Sequence, residues 1–107
     1  MTTNPHIPDT VEARAIESVE RAIEQIKRGG IVILVDDEDR ENEGDMVMAA
    51  QDATAQNITL MNMEARGLIC TPMVGDDLDR LGLPMQVPKN TSEHRTAFTV
   101  TVDSKFG

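Results

Sequence analysis

Seven carboxylates fall within ten positions, Asp36-Asp37-Glu38-Asp39-Arg40-Glu41-Asn42-Glu43-Gly44-Asp45, with one arginine among them. An acid run is ordinarily a solvated tail or linker. This one has apolar neighbours on both sides: Ile31-Val32-Ile33-Leu34-Val35 precedes it, and Met46-Val47-Met48-Ala49-Ala50 follows without a spacer. A chain that leaves a buried strand, crowds seven acids together and turns back into apolar sequence must offset their repulsion. A hard divalent cation does this through oxygen ligands, and Mg2+ or Mn2+ is the natural choice. About four of the seven acids are expected to be solvated loop charge only. That leaves one or two for a metal and another for substrate hydroxyls. Arg40 either neutralises its neighbours or holds an anionic group such as a phosphate by a bidentate contact. The bland alternative for the whole loop is a soluble hairpin tip.

An EF-hand is excluded. With Asp39 as first ligand, Glu41, Glu43 and Gly44 take their required places, but the twelfth position is Ala50 where a bidentate Glu belongs. Cys70 is the single cysteine, so neither an intramolecular disulfide nor a Cys-rich zinc site is open to the chain. Cys70 ends an apolar run and reads first as a small buried hydrophobe. His94 has no second His at ligand spacing and is expected to face solvent, while His6 lies in a loose terminus. Thr91, Ser92 and Thr96 suit either a hydrogen-bonded substrate or ordinary turn chemistry. No phosphate-binding glycine loop, nucleophile elbow or dinucleotide fingerprint is present.

The elements that must position the loop follow from periodicity. Ile16, Val19, Ile23 and Ile26 make one apolar helix face, with Asp9 (paired with Glu12) or Ser18 as its start and Gly29-Gly30 as its end. Residues 31–35 predict a strand buried on both faces, and 46–50 predict a second. Thr54 caps a helix to about Ala65 with Ile58, Met61 and Ala65 on one face. Residues 67–71 predict a third strand stopped by Pro72, 76–81 a short helix, and 98–102 a strand of period two. Residues 1–8, with Pro5 and Pro8, are expected to lack regular structure. Interleaved helices and strands indicate an α/β layered domain.

The 107 residues fit one small domain, with residues 1–107 forming a single unit. Two aromatic residues, Phe98 and Phe106, and seven methionines make a modest core. The net charge of −9 disfavours nucleic acid, which needs a basic surface. The start shows no signal-peptide pattern, and no apolar run approaches a membrane span. A cytoplasmic setting is therefore expected.

The acidic decad together with Val35 closely resembles the 3,4-dihydroxy-2-butanone-4-phosphate synthases of riboflavin biosynthesis. The resemblance continues through Ala65-Arg66-Gly67-Leu68-Ile69-Cys70, Leu81-Gly82-Leu83-Pro84, Asn90-Thr91-Ser92 and Thr96-Ala97-Phe98-Thr99-Val100. It implies a lyase that converts ribulose 5-phosphate to 3,4-dihydroxy-2-butanone 4-phosphate and formate with Mg2+ or Mn2+. The resemblance makes Glu41 the metal ligand and places Arg40 and Glu41 on substrate. It puts Asp45 on a substrate hydroxyl, Glu43 within reach for proton transfer, and Cys70 in the same pocket. It implies a layered mixed sheet and a homodimer for the complete protein. The family's later Thr-Thr-Gly, Ser-Ala-x-Asp-Arg and Gly-His-Thr-Glu-Ala segments, and a later catalytic Glu, do not occur in these residues. The expectation is a domain truncated after about half its length and inactive as it stands. The competing expectation is a non-catalytic acidic metal-binding remnant or interaction module.

Overall fold

Residues 10–106 are described by a computed structural model. In chain order it contains α1 (Val11–Lys27), β1 (Val32–Val35), β2 (Gly44–Val47), a 3-10 turn (Ala50–Asp52), α2 (Ala55–Glu64) and α3 (Gly75–Leu81). Two compact units divide between Cys70 and Thr71. The α/β character expected of the sequence is present, carried by three helices and one two-stranded antiparallel sheet.

In the first unit, the Thr10 hydroxyl starts α1 by accepting from the Ala13 N–H at 3.0 Å. Asp9, one expected cap, lies outside the described residues, and Ser18, the other, falls within the helix. Capping follows the first residue able to offer an oxygen three positions ahead of a free N–H. The end is as the glycine pair predicts. Gly29 adopts φ +78, its N–H donates to Ile26 O at 3.0 Å, and Gly30 N–H donates to Gln25 O at 2.9 Å. This paired closure needs a left-handed residue, which glycine supplies without a Cβ clash. It turns the chain so that α1 touches β1.

β1 and β2 pair in the register Val32–Val47, Ile33–Met46, Leu34–Asp45 and Val35–Gly44. Directly opposed residues share a face, so Ile33, Val35 and Met46 make one apolar face with Gly44. Val32, Leu34, Val47 and Asp45 make the other. The expectation of a strand covered on both faces is corrected here: Ile33 is 63% exposed and Val35 77%. The second strand also begins earlier than expected, at Gly44 rather than Met46. Gly44 already pairs with Val35, and by Ala49 the chain has turned, with Asp52 N–H donating to Ala49 O at 3.0 Å. α2 starts where expected, Thr54 accepting from Asn57 N–H at 3.1 Å, and ends with Ala65 as its C-cap.

The third expected strand, 67–71, forms no ladder among the described residues. A β-branched or apolar run becomes a strand only where a neighbour accepts its hydrogen bonds. In the second unit, α3 ends at Gly82, φ +68, with Leu83 N–H donating to Leu78 O at 2.9 Å. Residues 98–102 do not form the expected strand either; they make one antiparallel bridge, Met85 to Thr99. The reason is local. Val100 N–H donates to Pro84 O at 3.0 Å, but Pro84 has no N–H to return the bond. At the other end Phe98 N–H donates to Thr96 O rather than across the bridge.

No side chain among the described residues is fully buried, and Ile16, Val19 and Ile23 on α1 stay exposed with the hairpin's apolar face. Full burial of each such side chain would contribute about 1.5–3 kcal/mol, so these faces carry stabilisation that remains uncollected. No helix among the described residues is long and apolar enough to cross a membrane. We expect the chain to bind a hydrophobic dye and to self-associate more as salt screens its −9 charge. Sedimentation at about 0.01 M and about 0.15 M salt reads this directly. A monomer that unfolds sharply and identically at both would contradict it.

Candidate active site

The acidic loop spans residues 36–43, between the last ladder pair of β1 and β2. Its first residue organises it. Asp36 Oδ2 accepts from Arg40 Nη1 and from the Glu41 backbone N–H, each at 2.9 Å. Its Oδ1 accepts from the Glu43 backbone N–H, also at 2.9 Å. Asp36 N–H in turn donates to Glu43 O at 3.4 Å, extending the ladder one step past Val35. Arg40 N–H closes the tip by donating to Asp37 O at 3.0 Å. Asn42 takes φ +51, a left-handed conformation that Asn tolerates better than most residues. The loop is thus a closed ring around one carboxylate.

Arg40 is shared between two acids. Its Nη1 reaches Asp36, and its Nη2 lies 3.4 Å from Glu41 Oε1. The neutralising role expected of Arg40 is therefore realised. Because the guanidinium is largely exposed, each ion pair taken alone is weak; what distinguishes the Asp36 contact is the addition of two backbone donors to the same group. Asp36 and Glu41 are half-buried, while Asp37, Glu38, Asp39, Glu43 and Asp45 are exposed. Solvated positions in the run are therefore the tip and the return limb.

The structure brings Arg40, Glu41 and Glu43 together through Asp36. Asp45 follows two residues after Glu43, on β2 opposite Leu34. Cys70 is not joined to them among the described residues. It is exposed, and its thiol approaches Leu68 O at 3.7 Å. The reading of Cys70 as a buried hydrophobe is thereby corrected, since the strand expected to bury it has no ladder partner. His94 is exposed, as expected. The Ser92 hydroxyl donates to Asn90 Oδ1 at 2.7 Å, and Asn90 Nδ2 donates to Thr96 O at 2.7 Å. Turn chemistry thus occupies Ser92 here.

Sequence reasoning missed Asp36 and Asn90 as organisers. Within a run of seven acids nothing in composition separates the carboxylate that accepts three hydrogen bonds from those that accept none. Its place directly after the strand was the available signal, because a strand-end Asp can bond backbone N–H groups beyond it.

The Asp36 carboxyl is held below its ordinary value of 3.8. The largest cause is the Glu43 N–H, then the Glu41 N–H; Arg40 adds to both, and partial burial acts against them. A depressed carboxylate stabilises the closed loop above its unfolded value, and that stabilisation is lost as pH falls through the lower folded value. We expect a carbon-13 carboxyl titration to show Asp36 protonating below 3.8, with the Glu41 and Glu43 amide protons shifting in step. Titration of Asp36 at or above its ordinary value would contradict the closed loop.

The sequence model of the family described as 3,4-dihydroxy-2-butanone 4-phosphate synthase matches residues 20–107. The chain is 53% identical over 88 residues to the 3,4-dihydroxy-2-butanone 4-phosphate synthase of Agrobacterium fabrum, covering 82% of this chain and 41% of that protein. It is 52% identical over 88 residues to the riboflavin biosynthesis protein RibBA of a Synechocystis strain, covering 82% of this chain and 16% of that one. Against the 3,4-dihydroxy-2-butanone 4-phosphate synthase of Pseudomonas aeruginosa the identity is 46% over 93 residues, covering 87% and 26% respectively. The chain therefore spans less than half the length of each of these relatives. With the match running from within α1 through the acidic loop to residue 107, the chain belongs to the 3,4-dihydroxy-2-butanone 4-phosphate synthase family.

Proposed function

We propose that this chain supplies the acidic-loop portion of a lyase active site that converts ribulose 5-phosphate to 3,4-dihydroxy-2-butanone 4-phosphate and formate. The observation that carries the reading is the ordered loop itself: Arg40 and Glu41 side by side, both tied to Asp36, in a chain of this family. Such a reaction moves protons between carbons and oxygens of a phosphorylated sugar. It needs acid–base groups, a hydroxyl acceptor and a cation near the sugar oxygens.

In this reading Glu43 exchanges protons with substrate, and its exposure leaves it free to approach one. Asp45 accepts a substrate hydroxyl from the start of β2. Arg40 and Glu41 contact substrate, Arg40 through the guanidinium N–H groups that its bonds to Asp36 and Glu41 leave free. Cys70 lines the pocket of the complete protein. The described residues hold no group of three or more His, Cys, Asp or Glu side chains suited to a metal. A cation that takes one or two carboxylates and fills its shell with water and substrate oxygens, as Mg2+ does, fits Glu41 as its ligand from this chain. Mn2+ fits the same hard donor. When bound, the cation supplies positive charge beside the reacting oxygens.

For the complete protein we propose a layered mixed sheet that covers the open hairpin and α1 faces, a homodimer, and a cytoplasmic setting. Its partner is a small sugar phosphate. The acidic balance speaks against nucleic acid, and nothing in the apolar pattern calls for a membrane.

The test is a formate-release assay with ribulose 5-phosphate. The 107-residue chain alone is expected to stay at the no-protein blank, because catalytic groups that act as a unit do not contribute separately. Grafted in place of the matching portion of the Agrobacterium fabrum relative, the chain is expected to restore activity. In that chimera Glu41→Gln should abolish formate release, and Glu43→Gln should lower it about a hundredfold or more. Glu38→Gln, at the solvated tip, should leave it near the unsubstituted level. Equal losses at Glu38 and Glu41 would refute the division of the loop into ligand and solvated acids.

A further inference from the structure

Asp37 and Asp36 carry the same charge one residue apart, yet their carboxylates differ completely. Among the described residues the Asp37 carboxylate accepts no hydrogen bond, whereas Asp36 accepts three from the far limb of the loop. The three donors are not scattered. One is the Arg40 guanidinium and one is the Glu41 backbone, so a single group fixes both the reach of Arg40 and the point from which the Glu41 side chain departs. The third, Glu43 N–H, fixes the limb that runs into β2.

We propose that Asp36 is the positioning residue of this site: it aims Arg40 and Glu41 without itself meeting substrate or metal. The proposal deepens the function put forward above and rests on its assignment of Arg40 and Glu41. An amide cannot replace the carboxylate in this role. Asparagine offers one acceptor oxygen and an NH2 group. It can satisfy either Glu43 N–H or the Arg40 and Glu41 donors, and it presents hydrogens to whichever side it leaves.

The test uses the full nitrogen-15-labelled chain at low ionic strength, with Mn2+ alone as probe. Wild type, Asp36→Asn and Asp37→Asn are compared by amide exchange and by Mn2+-induced broadening at Glu41. Both variants lose one negative charge, so general attraction for the cation falls equally. We expect Asp36→Asn to speed exchange at Glu41 or Glu43 about tenfold, the loss of a charge-assisted bond. Asp37→Asn should leave both amides as in wild type. The Mn2+ concentration that half-broadens Glu41 should rise several-fold further in Asp36→Asn than in Asp37→Asn, the margin by which a misdirected ligand weakens a site.

Unchanged amides in Asp36→Asn, or equal loosening by Asp37→Asn, would overturn the proposal. So would loss of protection along the whole ladder at 32–35 and 44–47, since Asp36 would then hold the strands together rather than aim the loop. Glu41→Gln separates this proposal from the reading it rests on. If Mn2+ affects wild type and Glu41→Gln identically, the metal assignment of Glu41 fails, and the amide comparison still decides for or against Asp36.

Discussion

Seven carboxylates in ten positions can form an ordered loop only if the repulsion is answered from within, and the answer here is the set of bonds around Asp36. One carboxylate accepts two backbone N–H groups and a guanidinium. Each donor brings positive partial or full charge to the centre of an otherwise negative loop. With Asp36 bonded in this way the outer acids are left to solvent, and Arg40 and Glu41 emerge together from the same limb. The β1–β2 ladder runs into the same closure, with the Glu43 bond next to the Val35–Gly44 pair. Sequence, loop geometry and chemistry are linked at this residue.

The second constraint is burial. The hairpin and α1 each leave apolar side chains largely exposed, among them Ile33, Val35, Ile16 and Val19. Hydrophobic burial is the main favourable contribution to folding, so local hydrogen bonds and caps define these elements here without a core behind them. Thr10, Thr54 and the two glycines with positive φ, Gly29 and Gly82, mark element ends through such local bonds. A site that must hold a charged substrate away from water needs more than this. The roles proposed for Glu43 and Cys70 call for such enclosure, and both side chains are exposed here.

Helices were legible in the sequence because their signals are local. The spacing of Ile16, Val19, Ile23 and Ile26 and the cap at Thr54 each act over a few residues. Strands were less legible because a strand is a relation between two segments. Residues 67–71 and 98–102 have the composition of strands, but the first finds no ladder among the described residues and the second is stopped by Pro84. The acidic loop was visible from composition and from the family pattern, and the roles proposed for its residues come from that pattern. The tie that orders them was not, since Asp36 differs from Asp37 in bonding and not in type.

The most direct measurement is anomalous X-ray scattering from crystals of the chain grown with Mn2+. A manganese peak bonded to a Glu41 carboxylate oxygen, with Asp36 still joined to Arg40, Glu41 and Glu43, is the expected result. Manganese bound instead by the exposed tip acids Asp37, Glu38 and Asp39, with Glu41 free, would contradict the assignment of this loop as a built metal and substrate site.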